Sequence, residues 1–293
     1  MIGAIIGDII GSPYEGSSIN WVDDKNFPLF ANEFSRFTDD TILTCATADA
    51  LLTLKEKQDN YDGVMYPGIS DEYFTTPFSE KYKEWNLKYP GRGYGSGFQQ
   101  WVDDGGVNVN PSYANGCMMR CSPIPLFYKD YSLVCNNSLD SIQMTHNSPE
   151  SERGILSIVT AIYMSLHGAT KLQIKAFVEE QCGHMLDMSV EEWRLHPKGS
   201  IRCNLSAPQS LVCFMESDDY ESTIRNAVYT KGDTDTTAAI AGSIAEAFYG
   251  VKSIPQEMID GAKERMTPEM IELVNKFYKH IGEYQEQYKG FQI

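Results

Sequence analysis

Residues 231–250 read KGDTDTTAAIAGSIAEAFYG. From Ala238 to Tyr249 the residues are small or apolar at helical spacing and nearly free of charge, the composition of a helix deep in a core. Asp233 and Asp235 stand at the mouth of that helix, between glycine and threonines. Two carboxylates in that position are partly desolvated and repel each other. Helix N-terminal amides relieve only about 0.3–1 kcal/mol per charge near the surface, whereas a divalent cation relieves far more. Taken alone, the pair reads as a helix cap with a spare aspartate.

A second element changes that reading. Phe37-Thr38-Asp39-Asp40-Thr41 again sets adjacent carboxylates and threonine hydroxyls ahead of an apolar helix. Hard oxygen donors of this kind suit magnesium, manganese or calcium rather than zinc. Two such clusters at the mouths of two buried helices together favour a site for one or two cations. The N-terminal GDIIGSPYEG adds Asp8 and Glu15; Gly7 and Gly11 read there as helix-packing residues. Glu15 lies between Gly11 and Gly16, with Ser17 and Ser18 following, and is expected on a hinged loop. Gly95 and Gly97 in YGSG, and Asn115-Gly116, expose backbone amides that suit a phosphate or simply form turns. His146, ahead of a helix, reads as a cap or surface residue.

Helical periodicity runs through the chain. Start signals and apolar spacing predict helices after Thr38, from Ile155 to a stop at Gly168, over Ser206–Met215 and Ser222–Tyr229, and over a final segment with Ile271, Val274, Phe277, Tyr278 and Ile281 on one face. Alternating strands are scarce, so the fold class is all-α, and without repeats or a low-complexity linker residues 1–293 are expected to form one domain. The connectors 58–77, 89–97 and 103–115 are long enough to suggest functional loops. A 42% hydrophobic and 12% aromatic content supports a substantial core. The net charge of −16 argues against extended nucleic-acid binding, which needs basic surface. Seven cysteines show no CxxC, and Cys117 and Cys121, four apart, lack the partners of a zinc site. They read as reduced, buried thiols. No stretch approaches the roughly 20 apolar residues of a membrane span, and the expected location is cytoplasmic.

GAIIGDIIGSPYEG, FTDDT, YGSGFQQW, SYANGCMMRCSPI, MTHNSPES, RNAVYTKGD and GDTDTTAAIAGSIAEAFYG, in this order, resemble the blocks of the ADP-ribosylglycohydrolase family, the group similar to dinitrogenase-reductase-activating glycohydrolase. The resemblance covers most of the chain. It implies an all-helical fold with two divalent cations, magnesium or manganese, in a central cleft. By match of residues, Thr38, Asp39 and Asp40 resemble one set of metal ligands and Asp233, Asp235 and Thr236 the other. Glu15 resembles a glutamate that reaches metal or water from a mobile segment. Ser112, Tyr113, Asn115 and Gly116 resemble the loop that holds ADP-ribose, with Tyr113 stacking on adenine. His146 falls near the distal ribose and diphosphate. Three blocks depart from the family's usual THNHPEG, SYGNG and CQGSVPEA. This chain has THNSPES, SYANG and CNLSAPQS, and the differences fall on the substrate rim.

The implied activity is removal of ADP-ribose from modified protein side chains, with Glu15, Asp39 and Asp40 as catalytic residues, free ADP-ribose as product and arginine N-linkage as the preferred substrate. Serine O-linked or nucleic-acid-linked ADP-ribose is the alternative within the enzyme class. Outside it stands a non-catalytic ADP-ribose reader or a crystallin-like structural protein, which loss of metal ligands would favour; all the ligands are present. A monomer is expected.

Overall fold

The structure, a computed structural model, describes residues 1–16, 21–59, 77–196 and 201–293. Its helices are α1 (Ile2–Gly11), α2 (Asp39–Asp59), α3 (Phe78–Lys88), α4 (Ser96–Asp103), α5 (Gly116–Met119), α6 (Pro123–Phe127), α7 (Tyr131–Ile142), α8 (Pro149–Leu166), α9 (Lys171–Phe177), α10 (Val190–Leu195), α11 (Cys203–Met215), α12 (Tyr220–Tyr229), α13 (Thr234–Tyr249), α14 (Gln256–Lys263) and α15 (Pro268–Gly282). Among the described residues there is no sheet. Two isolated antiparallel bridges, Pro111 with His146 and Ala114 with Arg202, tie one loop down. The all-α expectation is met. Each predicted helix is present, mostly starting a few residues earlier, and Gly168 ends α8's turn at φ 76°. Gln58 and Asp59 belong to α2 instead of to a connector, and most of 58–77 lies outside the described residues.

Helix α13 is the axis. α1, α8, α11 and α12 pack around it, and α2 packs on α1 with α3 and α15 beyond. Every residue of α1 is buried, as the composition of the opening stretch requires. Gly3, Gly7 and Gly11, spaced by four, face Gly242, Ala238 and Thr234 of α13, also spaced by four. A Cβ on Gly7 would lie 2.2 Å from the Ala238 carbonyl oxygen, so the two helices touch backbone to backbone. The packing role read for Gly7 and Gly11 is therefore observed. It also corrects the hinge: Gly11 is packed against Thr234 and Asp235, which leaves Gly16 as the hinge glycine, while Ser17 and Ser18 lie outside the described residues. Gly7→Ala is expected to destabilise the fold by about 1–3 kcal/mol through overpacking, measured by urea unfolding. A loss below about 0.5 kcal/mol would show that the helices part easily.

The two ends of this helix pair differ. Near the C-terminal end of α13, buried Glu246 accepts from the Met1 ammonium at 2.6 Å, the Gly3 amide at 2.8 Å and the Tyr278 hydroxyl at 2.6 Å. That carboxylate is fully partnered. At the opposite end the carboxylates crowd one another.

Candidate active site

The starts of α2 and α13 meet the C-terminal end of α1 there. Asp8, on α1, is wholly buried and accepts from Thr38 N at 2.9 Å, Thr38 Oγ1 at 2.7 Å and Thr41 N at 3.0 Å, and from the Thr41 hydroxyl. It thereby caps the start of α2 and fixes the Thr38-Asp39-Asp40 turn. Asp40 Oδ2 accepts from Thr38 Oγ1 at 3.3 Å and Thr236 Oγ1 at 3.2 Å, while its buried Oδ1 has no partner among the described residues. Asp233 is the N-cap of α13, and its Oδ2 accepts from Asn115 Nδ2 at 2.6 Å. Asp39 is anchored by its amide, which donates to Arg92 O at 2.9 Å. Gly93 turns past it at φ 101°, where a Cβ would sit 2.9 Å from Asp39 Oδ1; only glycine meets both demands.

Carboxylate oxygens of Asp8, Asp40 and Asp235 lie within 4.8 Å of one another, and so do those of Glu15, Asp233 and Asp235. Burial pushes the Asp40 and Asp235 carboxyls well above their usual range, with neighbouring aspartates adding to it. The half-buried Asp39 is pushed up to about 8 by burial and then by Asp8. Asp8 and Asp233 are raised for the same first reason, although hydrogen bonds oppose it. Glu15 follows, through burial of its carboxyl, Asp233 and Asp8, with Arg36 opposing. An all-oxygen donor set, mutual repulsion and an orphaned Asp40 oxygen fit a hard divalent cation.

Above this acidic floor opens a cleft of about 530 Å³. Glu15, Thr38, Asp39, Asp40, Asp233, Asp235 and Thr236 line it, together with Gly95, Gly97, Ser112, Tyr113, Asn115, Gly116 and His146. Apart from Asp8, which lies in the floor beneath, every site residue singled out in the sequence borders one cavity. His146 is buried, which corrects its reading as a cap or surface residue. Tyr113 is 51% exposed, with Arg202 4.3 Å from its ring centroid.

The departures from the usual family blocks brace this rim. Ser148 and Ser151 both donate through Oγ to Ser112 O, each at 2.9 Å. Ser206 Oγ accepts from Asn115 Nδ2 at 3.0 Å, so Asn115 joins the loop to Asp233. Cys117 pairs spatially with Cys203, Sγ to Sγ 3.4 Å, not with Cys121.

Three residues escaped the sequence reading of the site: Arg36, Arg92 and Arg120. All three line the cleft, while Asp8, singled out beside Glu15, holds its floor. Arg120 had a signal available, since it is a lone charge inside an apolar run and must find partners when that run is buried. Arg36 and Arg92 had none.

Helical packing around a carboxylate floor that could hold a metal ion, beneath a cleft bordered by an exposed aromatic, suits a metal-assisted hydrolase. The sequence matches the ADP-ribosylglycohydrolase family over residues 1–287, and the chain belongs to that family of glycosidic-bond hydrolases. It is 27% identical to the ADP-ribosylhydrolase ARH3 of Mus musculus, over 90% of this chain and 87% of that protein. With the ADP-ribosylarginine hydrolase Tri1 of Pseudomonas putida it shares 24% identity, over 89% of this chain and 72% of the relative. A solved structure described as an ADP-ribosylglycohydrolase-related protein complex shares the fold, at TM-score 0.66 and 21% identity over 95% of both chains. Among the described residues no helix is long and apolar enough to cross a membrane.

Proposed function

We propose that the protein hydrolyses the glycosidic bond between ADP-ribose and a modified protein side chain, with two divalent cations, magnesium or manganese, at the acidic floor. The observation that carries this reading is the cleft itself, which brings crowded carboxylates and the Ser112–Gly116 loop with exposed Tyr113 to one cavity. Thr38, Asp39 and Asp40 would hold one cation, and Asp233, Asp235 and Thr236 the other. When bound, the cations neutralise the repulsion and polarise oxygens of substrate and water.

The chain's own groups do the rest. Asp40, held by Thr38 and Thr236, is fixed in depth and supplies negative charge toward the oxocarbenium-like centre that forms as the bond breaks. Asp39 is half-buried, borders the cleft and takes the proton of the attacking water. Glu15 borders the same cleft from the Gly16 side. Asn115, Gly116 and His146 border the stretch between, where ribose and diphosphate would lie. Tyr113, at the rim, offers a ring face to adenine. Tyr113→Ala is expected to weaken ADP-ribose binding by about 1–3 kcal/mol, the range for base–aromatic stacking. Unchanged affinity in calorimetry would remove adenine from that position.

Arginine N-linkage is the linkage supported by the likeness to a hydrolase named for ADP-ribosylarginine. One observation favours a second reading: Arg36 and Arg92 both border the cleft above the acidic floor. A guanidinium leaving group meets two like charges there, whereas the neutral hydroxyl of a serine adduct does not. The deciding experiment follows free ADP-ribose released from arginine-, serine- and nucleobase-linked substrates, with and without a chelator. Release from the arginine adduct that stops with chelator supports the first reading; release from the serine adduct alone supports the second. Release unaffected by chelation would overturn the cation assignment, and no release from any substrate would overturn the function.

A further inference from the structure

Arg120 is 1% exposed and borders the cleft. Its guanidinium carbon lies 3.9 Å from the Tyr82 ring centroid and 5.7 Å from that of Phe98. Nη2 donates to Thr145 Oγ1 at 2.6 Å and to Ser141 O at 3.4 Å. Thr145 Oγ1 in turn lies 3.0 Å from His146 Nδ1. These three side chains form a connected chain, Arg120 to Thr145 to His146, whose two ends border the cleft.

The chemistry of each member fixes the proton positions. A guanidinium has only donors, so its bond occupies a lone pair of Thr145 Oγ1. The Thr145 hydroxyl proton then has one hydrogen-bond partner among the described residues, His146 Nδ1. With a proton on Nδ1 instead, the threonine would accept twice, and its own proton would be buried and unpaired, the costly arrangement. Nδ1 is therefore the acceptor, and the ring proton resides on Nε2. That nitrogen lies 3.2 Å from where a Cβ would stand on Gly116, a residue of the cleft wall. Glycine at 116 leaves it uncovered.

We propose that Arg120 and Thr145 are positioning residues that lock His146 in its Nε2–H tautomer, so that the cleft presents an N–H donor to an oxygen of the bound ADP-ribosyl group. The identity of that ligand rests on the function proposed above; the tautomer does not. Burial, and then the Arg120 charge, push the His146 pKa well below the usual histidine value, so one uncharged form prevails at neutral pH.

The test is the ring nitrogen spectrum of the full chain labelled with ¹⁵N-histidine, His146 being assigned by the signals lost in His146→Gln. The expected wild-type pattern is a pyridine-like Nδ1 and a pyrrole-like Nε2. Thr145→Val should mix or reverse the tautomers and weaken ADP-ribose binding about tenfold, the worth of one good hydrogen bond. Thr145→Ser should restore both. A wild-type spectrum with the proton on Nδ1 overturns the proposal, as does a Thr145→Val spectrum identical to wild type. If the wild-type protein fails to bind ADP-ribose, the functional reading falls, and the wild-type spectrum still decides the tautomer.

Discussion

Asp235→Ala is expected to leave at most about a thousandth of wild-type turnover, a loss of about 4 kcal/mol from transition-state stabilisation by a cation site. The same change should raise the thermal stability of the cation-free protein, because it removes one of several carboxylates buried against one another. This opposite response separates a ligand from a structural residue. Excess magnesium should stabilise the wild type by about 2.7 kcal/mol at a hundredfold its Kd, and the variant by much less. The pH dependence follows from the raised carboxyls. Their folded-state pKa values exceed the unfolded ones, so the folded chain holds protons that the unfolded chain has already released. The associated stability is fully present below about pH 4 and is lost as pH rises through the folded values, of which Asp39's is about 8. Cation-free protein should therefore melt at lower temperature near pH 8 than near pH 5, and added magnesium should close that gap. Near-normal turnover of Asp235→Ala in excess magnesium, or an undiminished magnesium-induced shift, would remove Asp235 from the site.

Glu15→Gln should reduce kcat by about 10²–10³, within the usual range for a positioned acid or base, and leave ADP-ribose binding intact. Glu15 follows the short turn Ser12–Tyr14 in extended backbone, φ −68° and ψ 151°. Gly16 beside it has φ 87° and, among the described residues, no atom within 4 Å of a would-be Cβ. A backbone bond, Gly16 N to Gly232 O at 3.3 Å, holds this point near the Asp233 turn. The residue is largely exposed, yet its carboxylate reaches the Asp233–Asp235 pair. Glutamine keeps the reach and removes the charge. A normal kcat, or failure to bind ADP-ribose at all, would reject a role in the chemical step.

The fold was legible where periodicity and composition agreed. The charge-poor stretch after Thr237 could only be a core helix, and the glycines spaced by four near the N-terminus could only serve close packing. Asp39, Asp40, Asp233 and Asp235 were legible because carboxylates ahead of buried helices need a partner. Asp8 was singled out with Glu15, but its task of capping α2 was not legible, because its partners Thr38 and Thr41 lie some thirty positions away. Arg120 was hidden in the same way: its ring partner Tyr82 and its acceptor Thr145 belong to separate elements. Periodicity describes what a residue does for its own helix and says nothing about contacts made across three of them. The rim was legible only through family resemblance, since loops such as Ser112–Gly116 carry no repeat that a physical rule can read.

Asn115 carries a consequence for how occupancy of the acidic floor and of the cleft wall is linked. Its amide nitrogen has two protons, one given to Ser206 and one to Asp233, while its backbone belongs to the Ser112–Gly116 loop, proposed above to hold the nucleotide. Any ligand that shifts this loop also shifts the charge environment of the acidic floor, and any ion seated there pulls on the loop. By thermodynamic reciprocity, the factor by which an ion tightens nucleotide binding equals the factor by which the nucleotide tightens the ion. Measured apart, neither affinity describes the assembled state. In a site built this way, occupancy of the floor and of the loop is a single linked equilibrium.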